Sequence, residues 1–376
     1  MDRRTLLGAA CTLAGSGALA RAAEPGVTDG EILLGQSAVL SGPLSPGAIA
    51  AQLGAKLLFD EVNAQGGVAE RRLRLLSLDD GLDPAKAVVN YQALVQQHGV
   101  LACFLGVGAS TTLAAAPVLR DAGVALISPT AVVDSVRDKT SGVAYYTRAS
   151  QLRECEGLVQ HLDTLGLQQL AIATLATPGG QEVASQLASV MDRFKLKPKG
   201  VVTVAPDGSN AADAGKQVAA QQPQAVILFL TGAPAAALIQ SARAAGAEPG
   251  FYGMSILSGD VTMRLLGGRS RGLAIAQVTP YPWDGASPDA QQYRRLAEKA
   301  GVPVGYHSYE GFLGARVLVE ALARVGRELT RAKLQSSLRN LKLRVAGVDM
   351  DFAGGRHTGS RFVELVHVRP NGSFVR

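Results

Sequence analysis

The stretch that most constrains the fold is residues 101–132, LACFLGVGASTTLAAAPVLRDAGVALISPTAV. Leu101 to Leu105 is an apolar run short enough for a strand buried on both faces. Gly106-Val-Gly108 breaks that run, and Ser110 or Thr111 can cap a helix reaching to about Ala122. A second apolar run, Val124 to Ile127, stops at Ser128-Pro129. Strand, tight turn, helix, strand is the unit of a parallel sheet, and such sheets place ligands at the carboxyl ends of their strands. Both strand ends here carry small residues and hydroxyls: Ser110, Thr111, Thr112, Ser128 and Thr130. Small residues let a ligand approach the backbone, and a helix N-terminus offers unpaired N–H groups to an anion. The plain alternative makes Ser110 only a cap and Thr130 only a turn residue. Spacing alone favours that alternative, because nearly every helix has a cap.

The same alternation runs along the chain twice. Glu31 to Leu40 reads as a strand ending in the turn-rich loop Ser41-Gly-Pro-Leu-Ser-Pro-Gly47. Ala48 to Gln65 is a helix with Leu53, Leu57, Leu58 and Val62 near helical spacing, closed by Gly66-Gly67. Leu73 to Leu78 is a further strand, and Asp83-Pro84 starts a helix to His98. Residues 143–150 break the pattern as an extended crossing segment, after which it restarts. Leu170–Leu175, Val201–Ala205, Ala225–Leu230 and Phe251–Met254 are strands, with helices near 180–194, 211–221 and 235–245. Residues 274–278 cross back to helices at 288–300 and 308–325, and the tail from Leu341 alternates as an antiparallel pair around Asn371-Gly372. Two βα arrays joined by crossing segments imply two similar lobes with a cleft between them and strand ends facing it. Crossing segments are natural hinges, and closure on a ligand is the expected motion.

Length agrees, since 376 residues favour about two domains. With 47% apolar residues, global disorder is excluded. Charges are sparse and scattered, without the basic block that nucleic-acid binding requires. Residues 1–22 read as a signal peptide rather than fold: Arg3-Arg4, an apolar run Leu6 to Leu19 too short to span a bilayer, then the small-x-small pattern Ala20-Arg21-Ala22. The paired arginines hint at twin-arginine export, though the general route also accepts them. Losing this segment removes three arginines and one aspartate, which lowers the net charge from +6 to +4. Gly8, where a bulky aliphatic is expected, argues against lipid attachment at Cys11. Cys103 and Cys155 could pair in an oxidising compartment, but a strand position and a helix position favour two buried free thiols. No later stretch reaches 18 uncharged apolar residues, so the mature chain is expected to be soluble and periplasmic.

An exported chain that opens with ILLGQSAVLSGPLS and continues with FDEVNAQGGVAERRLRLLSLDDGLDPAKAV, GASTTLAAAPVL, ALISPTA and YEGFLGARVLVEAL resembles the periplasmic leucine/isoleucine/valine-binding protein family, the type I solute receptors of ABC importers. The likeness covers about 27–376. It implies an α/β, type I periplasmic binding protein fold: two Rossmann-like lobes of parallel sheet flanked by helices, joined by three hinge crossings. Lobe one would comprise 27–147 plus 279–340, and lobe two 148–278 plus 341–376. It also implies that hydroxyls and N–H groups of Ala109, Ser110, Thr111, Ser128, Thr130 and Ala131 hold a ligand carboxylate, which turns the reading of Ser110 towards a ligand contact. Strand-end positions Ser41, Gly179 and Thr231 join the candidate set, as do the aromatics Tyr309, Tyr281 and Trp283, whose bland roles are core and hinge packing.

The sequence departs from the amino-acid-binding pattern at several matched positions. Val132 stands where a threonine is usual, and the usual tyrosine of the second-lobe loop is replaced around Thr177-Pro-Gly-Gly180. The acidic residue that meets a ligand ammonium falls near Ser255. An ammonium buried without a counter-charge costs several kcal/mol, so a keto, hydroxy or aromatic acid, or a small amide, fits better than an α-amino acid. Glu310 could supply a negative charge from another loop. The implied partners are that small solute and an ABC permease of the inner membrane. A receptor of the same fold feeding a signalling partner is the alternative.

An enzyme reading finds little support. No G-x-S-x-G elbow is present and the five histidines are scattered; His98 and His161 sit on helix faces, and only His307 lies near the cleft. Asp79-Asp80, the one Asp-Asp pair, reads as a strand-end cap rather than a metal site. Gly106-x-Gly108 lacks the third glycine and later acid of a dinucleotide site, and no cofactor is expected.

Overall fold

The computed structural model describes residues 24–257 and 260–376, so the expected leader, with Cys11, lies outside the described residues. The first array runs β1 (Glu31–Ala38), α1 (Ser45–Ala64), β2 (Arg72–Asp79), α2 (Pro84–Gln92), β3 (Ala102–Phe104), α3 (Ala109–Asp121), β4 (Leu126–Ile127), α4 (Asp134–Lys139) and β5 (Ala144–Tyr145). Its five strands are parallel in the order β2-β1-β3-β4-β5. Asp83 starts α2 as its sequence suggests: its Oδ1 accepts from the Ala85 N–H at 2.8 Å, with Pro84 in the first turn. Leu57 and Leu58 of α1 are buried, while Leu53 faces outward.

The second array runs α5 (Gln151–Thr164), β6 (Leu170–Leu175), α6 (Pro178–Arg193), β7 (Val201–Val204), α7 (Ala211–Gln221), β8 (Ala225–Phe229), α8 (Gly232–Ala244), β9 (Gly250–Gly253), α9 (Asp260–Leu266) and β10 (Leu273–Gln277). The chain then returns to the first sheet as α10 (Pro288–Ala300), α11 (Tyr306–Val325) and α12 (Arg331–Arg339), whose Tyr293, Phe312 and Leu334 pack with Phe104 of β3. A hairpin of β11 (Lys342–Val345) and β12 (Val348–Asp351) follows, and β13 (Glu364–Val368) and β14 (Phe374–Val375) end the chain. The second sheet is ordered β14-β13-β10-β9-β8-β6-β7, parallel except for the two terminal strands. The β11–β12 hairpin corrects the boundary expected at 341. Its Val345, Val348 and Met350 bury into the first lobe's core beside Phe352, and only β13 and β14 join the second sheet.

The chain therefore passes between the sheets three times: after β5, after β10 and after β12. One apolar cluster bridges them, running from Tyr91 and Leu126 through Val133 and Tyr146 to Cys155 and Tyr252. Cys103 and Cys155 are free and buried, and burial pushes both thiols well above their usual range.

Inside the first lobe, α1 and α11 cross with their backbones in contact. A Cβ on Gly54 would lie 1.7 Å from the Ser308 carbonyl oxygen, and one on Gly311 would lie 1.8 Å from that of Ala51. Neither neighbour can yield without moving a helix, so Gly311→Ala is expected to destabilise the protein by about 1–3 kcal/mol or more. Thermal unfolding followed by circular dichroism checks this; an unchanged midpoint would show that the helices separate freely.

Candidate functional site

Strand ends from both sheets meet around one cavity of about 280 Å³. The first lobe supplies Val39 and Leu44 after β1, Leu82 after β2, Val107 to Thr111 after β3, and Ala131 and Val133 after β4. The second lobe closes it with Leu175 to Gly179, Phe229, Thr231 and Ile256. None of these lining residues carries a charge. The lobes touch around it: a Cβ on Gly232 would lie 3.2 Å from the Pro43 carbonyl oxygen. Ser135 also donates through its N–H (3.1 Å) and its hydroxyl (2.5 Å) to Glu182 of α6.

Local sequence explains the shape of this cavity. Gly108 caps α3 with φ +97°, in the left-handed region where glycine is at ease, and a Cβ there would lie 2.8 Å from Leu82. No side chain caps the helix, and the residues of its first turn, Ala109, Ser110 and Thr111, whose N–H groups have no intrahelical acceptor, line the cavity. Ser110 is thus an exposed first-turn residue rather than the expected cap, and the Thr111 hydroxyl turns back to the Val107 and Gly108 carbonyls. Leu105, Ser128 and Ala131, at the ends of β3 and β4, all have positive φ, near +53° to +57°. Such conformations in non-glycine residues cost on the order of 1 kcal/mol each and gather at binding sites.

Of the residues singled out from sequence, the structure brings Ala109, Ser110, Thr111, Ala131, Gly179 and Thr231 together on this wall. The others do not line it. The Ser41 hydroxyl bonds Asp79, which also accepts from the Leu40 and Gly81 N–H groups, and these bonds hold that carboxyl below its usual range. Ser128 is buried against Gly314 and accepts from the Thr147 hydroxyl at 3.0 Å. Thr130 splints the two loops through its backbone, donating to the Gly106 carbonyl (2.9 Å) and accepting from the Gly108 N–H (3.0 Å). Tyr281 packs at a tilt against Trp283, ring centres 5.2 Å apart, and donates to the Phe374 carbonyl at 2.9 Å. Tyr309 is fully buried in the first lobe's core, 4.8 Å from the Tyr293 ring. Sequence reading missed the apolar walls. Leu175, Phe229 and Val39 are each the last or next residue of a strand, which was the available signal.

Ser255 and Glu310 belong to a polar knot behind the wall, centred on Arg148 in the first crossing. Its Nη2 lies 3.3 Å from Glu154 and also donates to Ser255, while Nη1 lies 3.2 Å from Glu310. Glu154 in turn accepts from the Ser255 N–H at 2.8 Å. Burial pushes the Glu154 carboxyl up, and Arg148 and Ser255 oppose that. A second buried arginine, Arg137 of α4, donates to the carbonyls of Val132 (3.0 Å), Arg148 (3.2 Å) and Ala149 (3.1 Å) and to the Thr358 hydroxyl (3.3 Å). Its guanidinium sits 4.5 Å from the centre of the Tyr146 ring. Burial, and then the charge of Arg148, bring its pKa down to about 10, so it remains a cation at neutral pH. Among the described residues no cluster of three or more His, Cys, Asp or Glu side chains is placed to hold a metal ion, and no helix is long and apolar enough to cross a membrane.

Known proteins share this architecture. A family profile described as periplasmic binding protein matches residues 31–373. The leucine-specific-binding protein of Salmonella typhimurium is 23% identical over 317 residues, which cover 82% of this chain and 83% of that one. The crystal structure of a substrate-binding periplasmic protein from Ralstonia solanacearum superposes with a TM-score of 0.85 at 26% identity, over 92% of this chain and 99% of that one. A fatty acid ABC transporter substrate-binding protein from Thermomonospora curvata superposes with a TM-score of 0.82 at 21% identity, over 94% and 92%.

The Arg137 bonds make a prediction about the crossings. Arg137→Met keeps the volume but leaves buried carbonyls unpaired, and is expected to cost about 3 kcal/mol or more. Chemical denaturation measures this; a midpoint within error of the parent would mean that these acceptors find other donors.

Proposed function

Because the chain belongs to the periplasmic binding protein family, we propose that it is the extracytoplasmic solute-binding component of an ABC importer. It closes its two lobes on a small amine-free solute, a carboxylate or an amide with an apolar body, and presents it to a permease of the inner membrane. The family consists of binding proteins, and this reading assigns the chain no reaction on the solute. Residues 1–22 would direct export and be removed, leaving the mature protein in the periplasm.

The observation that carries this reading is the chemistry of the cavity. Apolar side chains from both lobes make most of its surface, and the polar groups are hydroxyls and the first-turn N–H groups of α3. That arrangement suits one anionic or polar end held at a helix N-terminus and an apolar remainder held between strand ends. The names of its relatives leave the ligand open, since one carries leucine and another fatty acid. A free α-ammonium would face a wall with no carboxylate on it. In water that group keeps its hydration, so its transfer here is strongly unfavourable.

Isothermal calorimetry on the mature protein with isovalerate, 4-methylpentanoate, phenylacetate, benzamide and leucine tests the proposal. Amine-free compounds are expected to bind, and leucine to bind at least about tenfold more weakly. Ser110→Ala removes a donor to a charged group and is expected to weaken the acids by about tenfold or more while leaving the fold intact. Binding confined to α-amino acids, or acid affinity untouched by Ser110→Ala, would overturn the reading.

A further inference from the structure

Behind the cavity wall, two carboxylates from different lobes point at one another's position. Glu154 comes from α5 of the second lobe and its side chain is 1% exposed; Glu310 comes from α11 of the first and is 11% exposed. Both face the Arg148 guanidinium, which is 4% exposed and takes one carboxylate on each terminal nitrogen. The Ser255 hydroxyl and N–H complete the set, and the next residue, Ile256, lines the cavity. The two acids and the hydroxyl thus form a ready-made cation site one residue behind the ligand space. A side chain of the protein itself already fills it.

Without Arg148, Glu154 would lose the cation that offsets its burial, and Glu310 would be left an unpaired carboxylate beside the cleft that attracts an entering amine. With Arg148 in place, both are paired, and an incoming ammonium meets no free carboxylate and a resident cation instead. Resting on the cleft reading above, we propose that Arg148 determines the charge class of the solute, occupying the site formed by Glu154, Glu310 and Ser255 so that amine-free solutes are admitted and amines are rejected. Arg148 acts as a specificity residue through these acids and need not touch the solute.

The test uses matched solutes differing only by an amine, 4-methylpentanoate against leucine and valerate against 5-aminovalerate, titrated calorimetrically into the mature protein. The wild type is expected to bind the amine-free member of each pair at least tenfold more tightly. Arg148→Ala is expected to move that ratio at least tenfold towards the amine in one or both pairs, whereas Arg148→Lys, which keeps a cation there, is expected to leave it unmoved. Should Arg148→Ala fail to fold, Arg148→Met combined with Glu154→Gln leaves the single, better-solvated carboxylate of Glu310 and is expected to shift the ratio in the same direction. A wild type that binds neither member of either pair overturns the cleft reading and this inference together. A wild type that binds the acids, with folded variants whose ratios stay put, overturns only the role of Arg148; a merely structural arginine would change stability without changing the ratio.

Discussion

The guanidinium of Arg137 gathers acceptors from three separate segments of chain: the loop after β4, the first crossing and the third. Everything about the cleft depends on that convergence, because the crossings are the covalent links through which one sheet is oriented on the other. Five N–H donors in a rigid plane can satisfy several carbonyls at once in fixed directions. Tyr146 beneath the plane supplies an aromatic face for the charge, so the cation is buried without being left alone. Orientation is thus set by hydrogen bonds of fixed direction, and the apolar cluster shared by the two sheets adds energy with little directional preference.

Above this anchor the two lobes make different contributions. The first provides the helix N-terminus, the turned backbone at the ends of β3 and β4, and the side chains of Val39, Leu44, Leu82 and Val133. The second provides side chains, Leu175, Phe229 and Ile256, on a wall shaped by packing. Contacts such as Ser135 with Glu182 join the lobes where they meet, at the surface, where an ion or hydroxyl pair is worth little and can be broken and remade. The strong bonds are thus buried at the crossings, and the weak ones lie exposed at the lips.

Much of this was legible in the sequence, and the limits of legibility have physical causes. Short apolar runs such as Ala225 to Phe229 became central parallel strands because a strand covered on both faces shows no polar alternation. Residues just beyond strand ends, Ser110 and Thr231 among them, reached the cavity because a parallel sheet puts those ends on one side. Ser128 did not, since a backbone at φ +57° turns its side chain into the core, and composition carries no mark of that turn. Tyr309 was drawn inward by the close crossing of α1 and α11, which only the glycines at 54 and 311 announce. Arg148 escaped notice because its partners lie 6, 107 and 162 residues away, and a local pattern cannot connect them.

The contact between α1 and α11 also bears on how the chain comes to be folded. These two helices are numbered 45–64 and 306–325, and the first lobe's core is incomplete until the later one has emerged. Without the chain from α10 onwards, the first sheet would have one face covered by α1 alone, and closing so long a loop is entropically slow. The second lobe is contiguous from 151 to 277 except for its edge strands β13 and β14, which come from the end of the chain. Both lobes therefore wait on the C-terminal third of the chain, the first for the helices that cover its sheet and the second only for two strands at its edge.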